Sequence, residues 1–358
     1  MSVLTGPPRV GVPTVPTGTP RMGTPGTGEG TVIVTYALAK VGKTLDALYS
    51  APTAHVFTTA PRQLEGWRLM TGVKPKEHRI DRLKGVAAKI RQIAAKEPGA
   101  VFVFDDASIA AKREELALLK AGKVGWSMWK LMNRVMSDIR EACIDTRSVL
   151  WFIFHEKAPK FVEETVLDGP PKLVNGIVVT AGSDKASVLK SPGCPLMPSE
   201  AMSAEIPAIS PLVLRGTKRK TSVGGWRGTY YCNPENTEWI TGERWCILPE
   251  ESPMNVREIL WQAHEKGHDV LIPPRAPGLG WLDDVAERVA DGLEADRWPT
   301  EDAAAKALGL SGGGRDPRHL RWAWRDACAR VHLRKGSGVF NLFTPPSSVA
   351  GTGMRIPG

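Results

Sequence analysis

Four nearly continuous apolar runs, separated by stretches with helical spacing, set the rhythm of the first half of the chain. The runs lie at residues 31–35, 54–59, 100–104 and 149–154, and the helical stretches at 45–49, 80–95 and 127–142. Strands that are apolar on both faces belong to a parallel sheet covered by helices on each side, because only there do both pleat faces escape water. After His155 the rhythm changes. Short strand candidates at 176–180, 187–190, 211–215, 229–232 and 239–241, broken by turns, predict an antiparallel extension of that sheet. A Pro- and Gly-rich break at 272–278 precedes a final helical stretch over 281–335. The expected architecture is α/β, with a mainly parallel core over 31–275 and a small helical module over 276–335.

The ends read differently. Nineteen of the first 30 residues are Gly, Pro or Thr. Such a segment cannot bury enough apolar surface to offset its ordering entropy, so a disordered arm is expected over 1–30 and a flexible tail over 336–358. No apolar run reaches the roughly 18 residues of a membrane span, and the N-terminus lacks the apolar core of a signal peptide. Cys143, Cys194, Cys232, Cys246 and Cys328 are scattered and never spaced Cys-x-x-Cys, which argues against a zinc site or a disulfide framework. These features predict a cytoplasmic protein. Its 358 residues, 42% hydrophobic, allow an ample core, and a formal net charge of +9 suits a polyanionic partner.

Chemistry enters where the first apolar run hands over to a helix through Ala37, Leu38, Ala39, Lys40, Val41, Gly42, Lys43 and Thr44. A strand, a loop ending Gly-Lys-Thr and a helix form a phosphate-binding loop. Its backbone N–H groups turn inward toward phosphate oxygens, and the helix N-terminus adds partial positive charge. Gly42 lets the backbone approach closely. Lys43 is expected to reach the β- and γ-phosphates of ATP, and the Thr44 hydroxyl to ligate Mg²⁺. Ala37 departs from the commoner Gly at the first loop position.

The third run ends in Asp105 and Asp106. A buried strand that delivers a carboxylate at its end suits Asp105 to hold Mg²⁺, directly or through water, and Asp106 to polarise the attacking water. His155 ends the fourth run, where it would sense the γ-phosphate. Ligands of parallel sheets bind at the carboxyl ends of the strands, so Lys43, Asp105 and His155 are expected to lie near one another. The second run ends in Thr58, Thr59, Ala60 and Pro61 without a carboxylate. Glu65 is the substitute a few residues later.

On residues 37–44, 101–106 and 149–155 the chain resembles the RecA-like P-loop ATPases, especially the compact recombinase-type ATPases encoded by bacteriophages. The likeness extends less specifically through 206–215, 230–234, 237–244 and 253–260. It implies a P-loop NTPase fold and an ATP-driven homo-oligomer, ring or filament. It also implies action on DNA, mainly single-stranded, in recombination or replication, within the host cytoplasm if phage-encoded. Many such ATPases carry a catalytic carboxylate at the end of the second strand. The family often inserts a basic K-x-R element into the neighbouring subunit's ATP. Here Gly242, Glu243 and Arg244 retain only the Arg, which makes Arg244 the candidate trans-acting finger.

Two basic features could meet DNA. Lys218, Arg219 and Lys220, with Trp226 and Arg227, read either as a solvated turn or as a hairpin tip suited to phosphate neutralisation and base stacking. Residues 303–335 hold eight Lys or Arg against two Asp. There Arg318, Arg321 and Arg325 form one helical stripe, and Trp324, Cys328 and Val331 an apolar face, compatible with a helix-turn-helix-like module on nucleic acid. Two rivals stand beside the recombinase-type reading. One is an AAA+ type helicase loader, which would place a helical lid directly after the His155 strand. The other is a non-hydrolysing, nucleotide-dependent DNA-binding scaffold.

Overall fold

A computed structural model describes residues 30–60, 64–65, 67–68, 73–166, 172–174, 177–179, 184–220, 226–233, 238–297, 301–308 and 317–335. The expected arm over 1–29 and tail over 336–358 lie outside them. The first half comprises β1 (Thr31–Ala37), α1 (Lys43–Ser50), β2 (His55–Thr58), β3 (Lys76–Arg79), α2 (Val86–Ala94), β4 (Val101–Asp105), α3 (Ala107–Lys120), α4 (Gly125–Asp145) and β5 (Val149–Lys157). Next come β6 (Lys160–Val166), β7 (Lys172–Val174), β8 (Ile177–Val179), β9 (Asp184–Ser191), β10 (Cys194–Pro195) and α5 (Glu200–Ile209). The sheet is completed by β11 (Leu212–Lys220), β12 (Trp226–Tyr231), β13 (Gly242–Glu243) and β14 (Glu251–Pro253). The last helices are α6 (Val256–Glu265), α7 (Trp281–Glu294), α8 (Glu301–Ala307) and α9 (Pro317–Lys335).

The main sheet has the order β14-β12-β11-β1-β5-β4-β2-β3, with β10 on β5 and β13 on β11. From β11 to β3 all pairs are parallel. β10, β12, β13 and β14 join antiparallel. The fold is therefore α/β with a mostly parallel sheet. β11, expected in the antiparallel extension, is instead a parallel neighbour of β1. The helix α5 returns the chain before β11, so the strand enters the sheet in the same direction as β1. β6–β9 and β7–β8 pair outside the main sheet.

All seven residues of β1 are buried, as the unbroken apolar pattern predicts. On one face Ile33, Val103, Trp151 and Leu214 pack with Leu48 of α1, Ile259 of α6, Val285 of α7 and Val331 of α9. On the other, Val34, Phe104 and Phe152 pack with Ile90 of α2, Ala110 of α3, Met132 of α4 and Ile206 of α5. Each such side chain contributes about 1.5–3 kcal/mol by leaving water. α7 and α9 are thus a layer of the common core, where the sequence predicts an appended module. β3 escapes the hydrophobic pattern because its residues, Lys76, Glu77, His78 and Arg79, are all polar. Charged side chains are tolerated there because β3 is an edge strand.

Buried charges bind the helical layer together. Asp283 of α7 accepts from Arg257 at 3.0 Å and from Arg275 at 2.8 Å. Asp326 of α9 accepts from Arg275 at 2.5 Å and from Asn255 at 2.7 Å. Arg330 donates to Glu258 at 2.8 Å. Charges this deep persist only when paired, because an isolated one would lose its hydration without compensation.

Candidate functional site

Gly42 closes the loop after β1 with φ 112°, a conformation open to glycine, and no side chain caps the N-terminus of α1. The first backbone N–H groups of that helix therefore have no intrahelical partner, the arrangement that suits an anion. Lys40 also holds a positive φ, 61°, which marks a tightly wound loop. Lys43 folds back over this loop and donates to the carbonyls of Ala37 and Leu38, each at 2.9 Å. Burial lowers its ammonium below the ordinary lysine range, and the carboxylates of Asp106, Asp105 and Glu156 offset part of that shift.

Thr44 Oγ1 donates to Asp105 Oδ2 at 2.9 Å. β5 lies between β1 and β4, so the contact spans two strand spacings at the carboxyl edge of the sheet. A hydroxyl and a carboxylate are the hard oxygen donors Mg²⁺ takes, and the uncapped helix beside them suits phosphate. No group of three or more His, Cys, Asp or Glu that could hold a metal occurs among the described residues. A cation here would therefore draw its remaining ligands from phosphate and water.

The expected neighbourhood of Lys43, Asp105 and His155 is present. Ala37 and His155 are register partners across β1 and β5, and His155 Nε2 pairs with Asp106 Oδ2. A cis peptide bond joins Asp105 to Asp106. Asp106 Oδ1 caps α3 by accepting from Ser108 N at 2.8 Å, and Ser108 Oγ accepts from His155 N at 2.9 Å. Both Asp106 oxygens are thus engaged within the chain. In these contacts Asp106 caps α3 and braces His155. Glu65 is exposed, and no hydrogen bond or ion pair ties it to this cluster among the described residues.

Several contributors carry no sequence motif. Thr58, on β2, is the register partner of Asp105 and donates to Glu77 of β3 at 3.0 Å. Arg215 donates to Glu156 at 2.9 Å and lies 3.4 Å over the Trp239 ring. β11 continues past its last pairing with β1, at Tyr36 and Arg215, and its Gly216, with Gly228 of β12, lies against the loop of residues 37–44. A Cβ on Gly216 would stand 3.1 Å from Ala37 Cβ and 3.3 Å from Val41 Cγ1. One on Gly228 would stand 3.3 Å from the Val41 carbonyl.

Of the expected DNA contacts, Lys218 is exposed near the end of β11, where it pairs in register with Gly228 of β12. The Arg219 and Lys220 side chains, and the turn between the strands, lie outside what the structure describes. Arg318 and Arg321 are exposed at the start of α9. Arg325 is engaged within the chain. It pairs with Asp46 of α1 at 2.5 Å, donates to the Met254 carbonyl and lies 5.0 Å from the Tyr49 ring centre. Arg330 and Arg334 are likewise held by carboxylates, which removes part of the basic character that the count of charges suggests. Arg244 is exposed after β13 and donates to the Ala208 carbonyl at 3.2 Å. β13 pairs with the start of β11, far along that strand from the phosphate-binding loop of the same chain. No helix is long and apolar enough to cross a membrane among the described residues.

No family model matches the sequence, and no curated protein does. Among the solved structures that match is a KaiC-like protein from the hyperthermophilic archaeon Pyrococcus horikoshii OT3. It is 11% identical with a TM-score of 0.33, over 57% of this chain and 78% of that one. An overlap this loose adds nothing to the geometry above.

Proposed function

We propose that this chain is an ATP-binding and hydrolysing P-loop ATPase of the RecA-like class that acts on DNA. The observation that carries the reading is the 2.9 Å contact between Thr44 and Asp105, beside a loop over which Lys43 is folded. The α1 N-terminus and Lys43 would receive the phosphates, with Thr44 and Asp105 holding Mg²⁺. That ion, when bound, neutralises charge on the β- and γ-phosphate oxygens. His155, braced by Asp106 and by Ser108 of α3, would report the state of the γ-phosphate to both β5 and α3. An AAA+ loader fits less well, because β5 is followed by β6 to β10 rather than by a helical lid.

DNA is the proposed partner, single strands first. The hairpin of β11 and β12 supports this: it touches the phosphate-binding loop at Gly216 and Gly228, and it carries the exposed Lys218, the register partner of Gly228. Nucleotide and nucleic acid would thus meet on one rigid ribbon. A homo-oligomer, ring or filament, is proposed with it, Arg244 serving the neighbouring subunit. Lys43→Ala is the decisive variant. It should abolish binding of a fluorescent ATP analogue and phosphate release while keeping the circular dichroism of the parent, and unchanged turnover would refute the assignment. Phosphate release that rises with single-stranded DNA supports the motor. Retained ATP binding with no release favours the scaffold.

A further inference from the structure

We propose that residues 339–343 of one copy of this chain dock on the turn between α3 and α4 of the next copy, a head-to-tail contact that joins the subunits. This rests on the homo-oligomer in the reading above and names the surface that builds it. On α3, Leu116 and Leu119 lie three residues apart, so they share one face of the helix, and both are exposed. Just beyond them Val124 is 65% and Trp126 82% exposed. Met128 and Met132, the following apolar residues of α4, are buried, so the exposure is confined to the turn and the helix ends beside it. Contiguous apolar side chains left in water mark a place that a partner covers.

The chemistry of the partner follows from the residues after α9. Residues 336–358 lie outside the described residues, and their sequence holds one dense apolar cluster, Val339, Phe340, Leu342 and Phe343, flanked by Gly, Ser, Thr and Pro. No charged residue occurs between Lys335 and Arg355, so nothing repels this cluster from the exposed Lys120 and Lys123 at the turn. Three of the four side chains on the turn are aliphatic. They gain by covering other apolar groups, and they offer a phosphate neither charge nor hydrogen bond.

The two sides of the contact lie at opposite ends of the molecule. α3 leaves β4 at the carboxyl edge of the sheet, and α4 leads back to the start of β5 at the amino edge. α4 has 21 residues, a length of about 31 Å, so its start, with Val124 and Trp126, lies toward the carboxyl edge. β14 is antiparallel to β12, itself antiparallel to β11, so β14 runs with β1 to the carboxyl edge and α6 leads away from it. α9 lies along α6 in the same direction: Arg325 donates to the Met254 carbonyl, Arg330 to Glu258 and Arg334 to Glu265. The end of α9 therefore points away from the carboxyl edge, on the sheet face opposite α4. Phe343 follows Lys335 by eight residues, a reach of at most about 28 Å, less than the length of α4 even before the sheet is rounded. The segment cannot reach the turn of its own chain and meets that of a second copy. A contact between two different surfaces repeats head to tail and closes as a ring or extends as a filament.

The test is sedimentation velocity of the full chain with an ATP analogue and Mg²⁺. One variant carries Phe340→Asp and Phe343→Asp in the segment; the other carries Val124→Asp and Trp126→Asp on the turn, at positions exposed enough to keep the parental circular dichroism. Each should weaken self-association at least about tenfold, the scale of losing a buried aromatic anchor. Mixed in equal amounts, the two should recover dimers and nothing larger, because such a pair holds one intact segment and one intact turn. The proposal is overturned if either variant assembles like the parent, or if the mixture stays monomeric. It is also overturned if the turn variant assembles normally but binds a single-stranded oligonucleotide less tightly, since the turn then serves nucleic acid. A monomeric parent overturns the homo-oligomer itself, whereas a parent that assembles together with both variants overturns this contact alone.

Discussion

Arg325 of α9 and Asp46 of α1, 279 residues apart in sequence, form an ion pair of 2.5 Å. Asp46 is 2% exposed and also accepts from Tyr230 of β12 at 2.7 Å and from Ser50 at 3.2 Å. Burial raises its carboxyl above the usual aspartate range, and Arg325 is the largest opposing influence. Because Asp46 follows Lys43 by three residues, the helix that carries Lys43 is pinned both to the last helix and to the hairpin of β11 and β12.

Arg325→Ala should therefore act on stability. Leaving Asp46 buried without its cation should cost about 3 kcal/mol in chemical denaturation. Arg321→Ala, at an exposed position one turn earlier, should stay within about 0.5 kcal/mol. Equal effects would show that the pair contributes nothing.

The Thr44–Asp105 contact predicts a metal-dependent phenotype. Asp105→Asn keeps the shape but removes the charge, so nucleotide affinity should lose its dependence on Mg²⁺ while a Mg²⁺-free baseline survives. Turnover should fall at least about tenfold. Titrating a fluorescent ATP analogue with and without Mg²⁺ checks this; a preserved Mg²⁺ effect would place the cation elsewhere.

Acid should loosen the β3 edge. His78 Nε2 lies 2.8 Å from His55 Nδ1. Burial, with Lys89, His55 and Lys76 nearby and Glu97 only partly opposing them, lowers the His78 imidazole from 6.5 to about 4. Between those values the unfolded chain takes up a proton that the folded one refuses, so stability falls as pH drops through that window. His78→Gln should flatten the dependence of the denaturation midpoint between pH 6.5 and about 4. An equally steep curve in the variant would assign the acid sensitivity to other groups.

If the hairpin meets single-stranded DNA, Lys218→Ala should weaken oligonucleotide binding for every sequence. The slope of log affinity against log salt should shrink by about 0.7, the value of one released phosphate contact on a single strand. Arg325→Ala, measured on its folded fraction, should leave that slope unchanged. A slope that responds to Arg325 and not to Lys218 would reverse the assignment.

What could be read in advance follows burial. β1, β4 and β5 are covered on both faces, so their apolar runs stand out, and the residues that end them emerge at the carboxyl edge as the pattern predicts. β3 contains only polar residues and α5 was not foreseen, so both the sheet edge and the parallel entry of β11 were hidden. The stripe of Arg318, Arg321 and Arg325 looks uniform on a helical wheel, yet Arg325 pairs with the buried Asp46 while Arg318 and Arg321 are exposed.

By itself the sequence determined the local devices: a strand that passes through a glycine turn into Lys43 and Thr44, and a buried strand that ends in Asp105. These depend on backbone sterics and apolar periodicity over a few neighbouring residues. Tertiary structure alone decided that β5 separates those two strands, that Thr58 connects Asp105 to Glu77, and that Arg325 belongs to Asp46. The physical reason is that the partner of a charge or a hydroxyl is chosen by which strands and helices pack together, and that choice is made by contacts far apart along the chain.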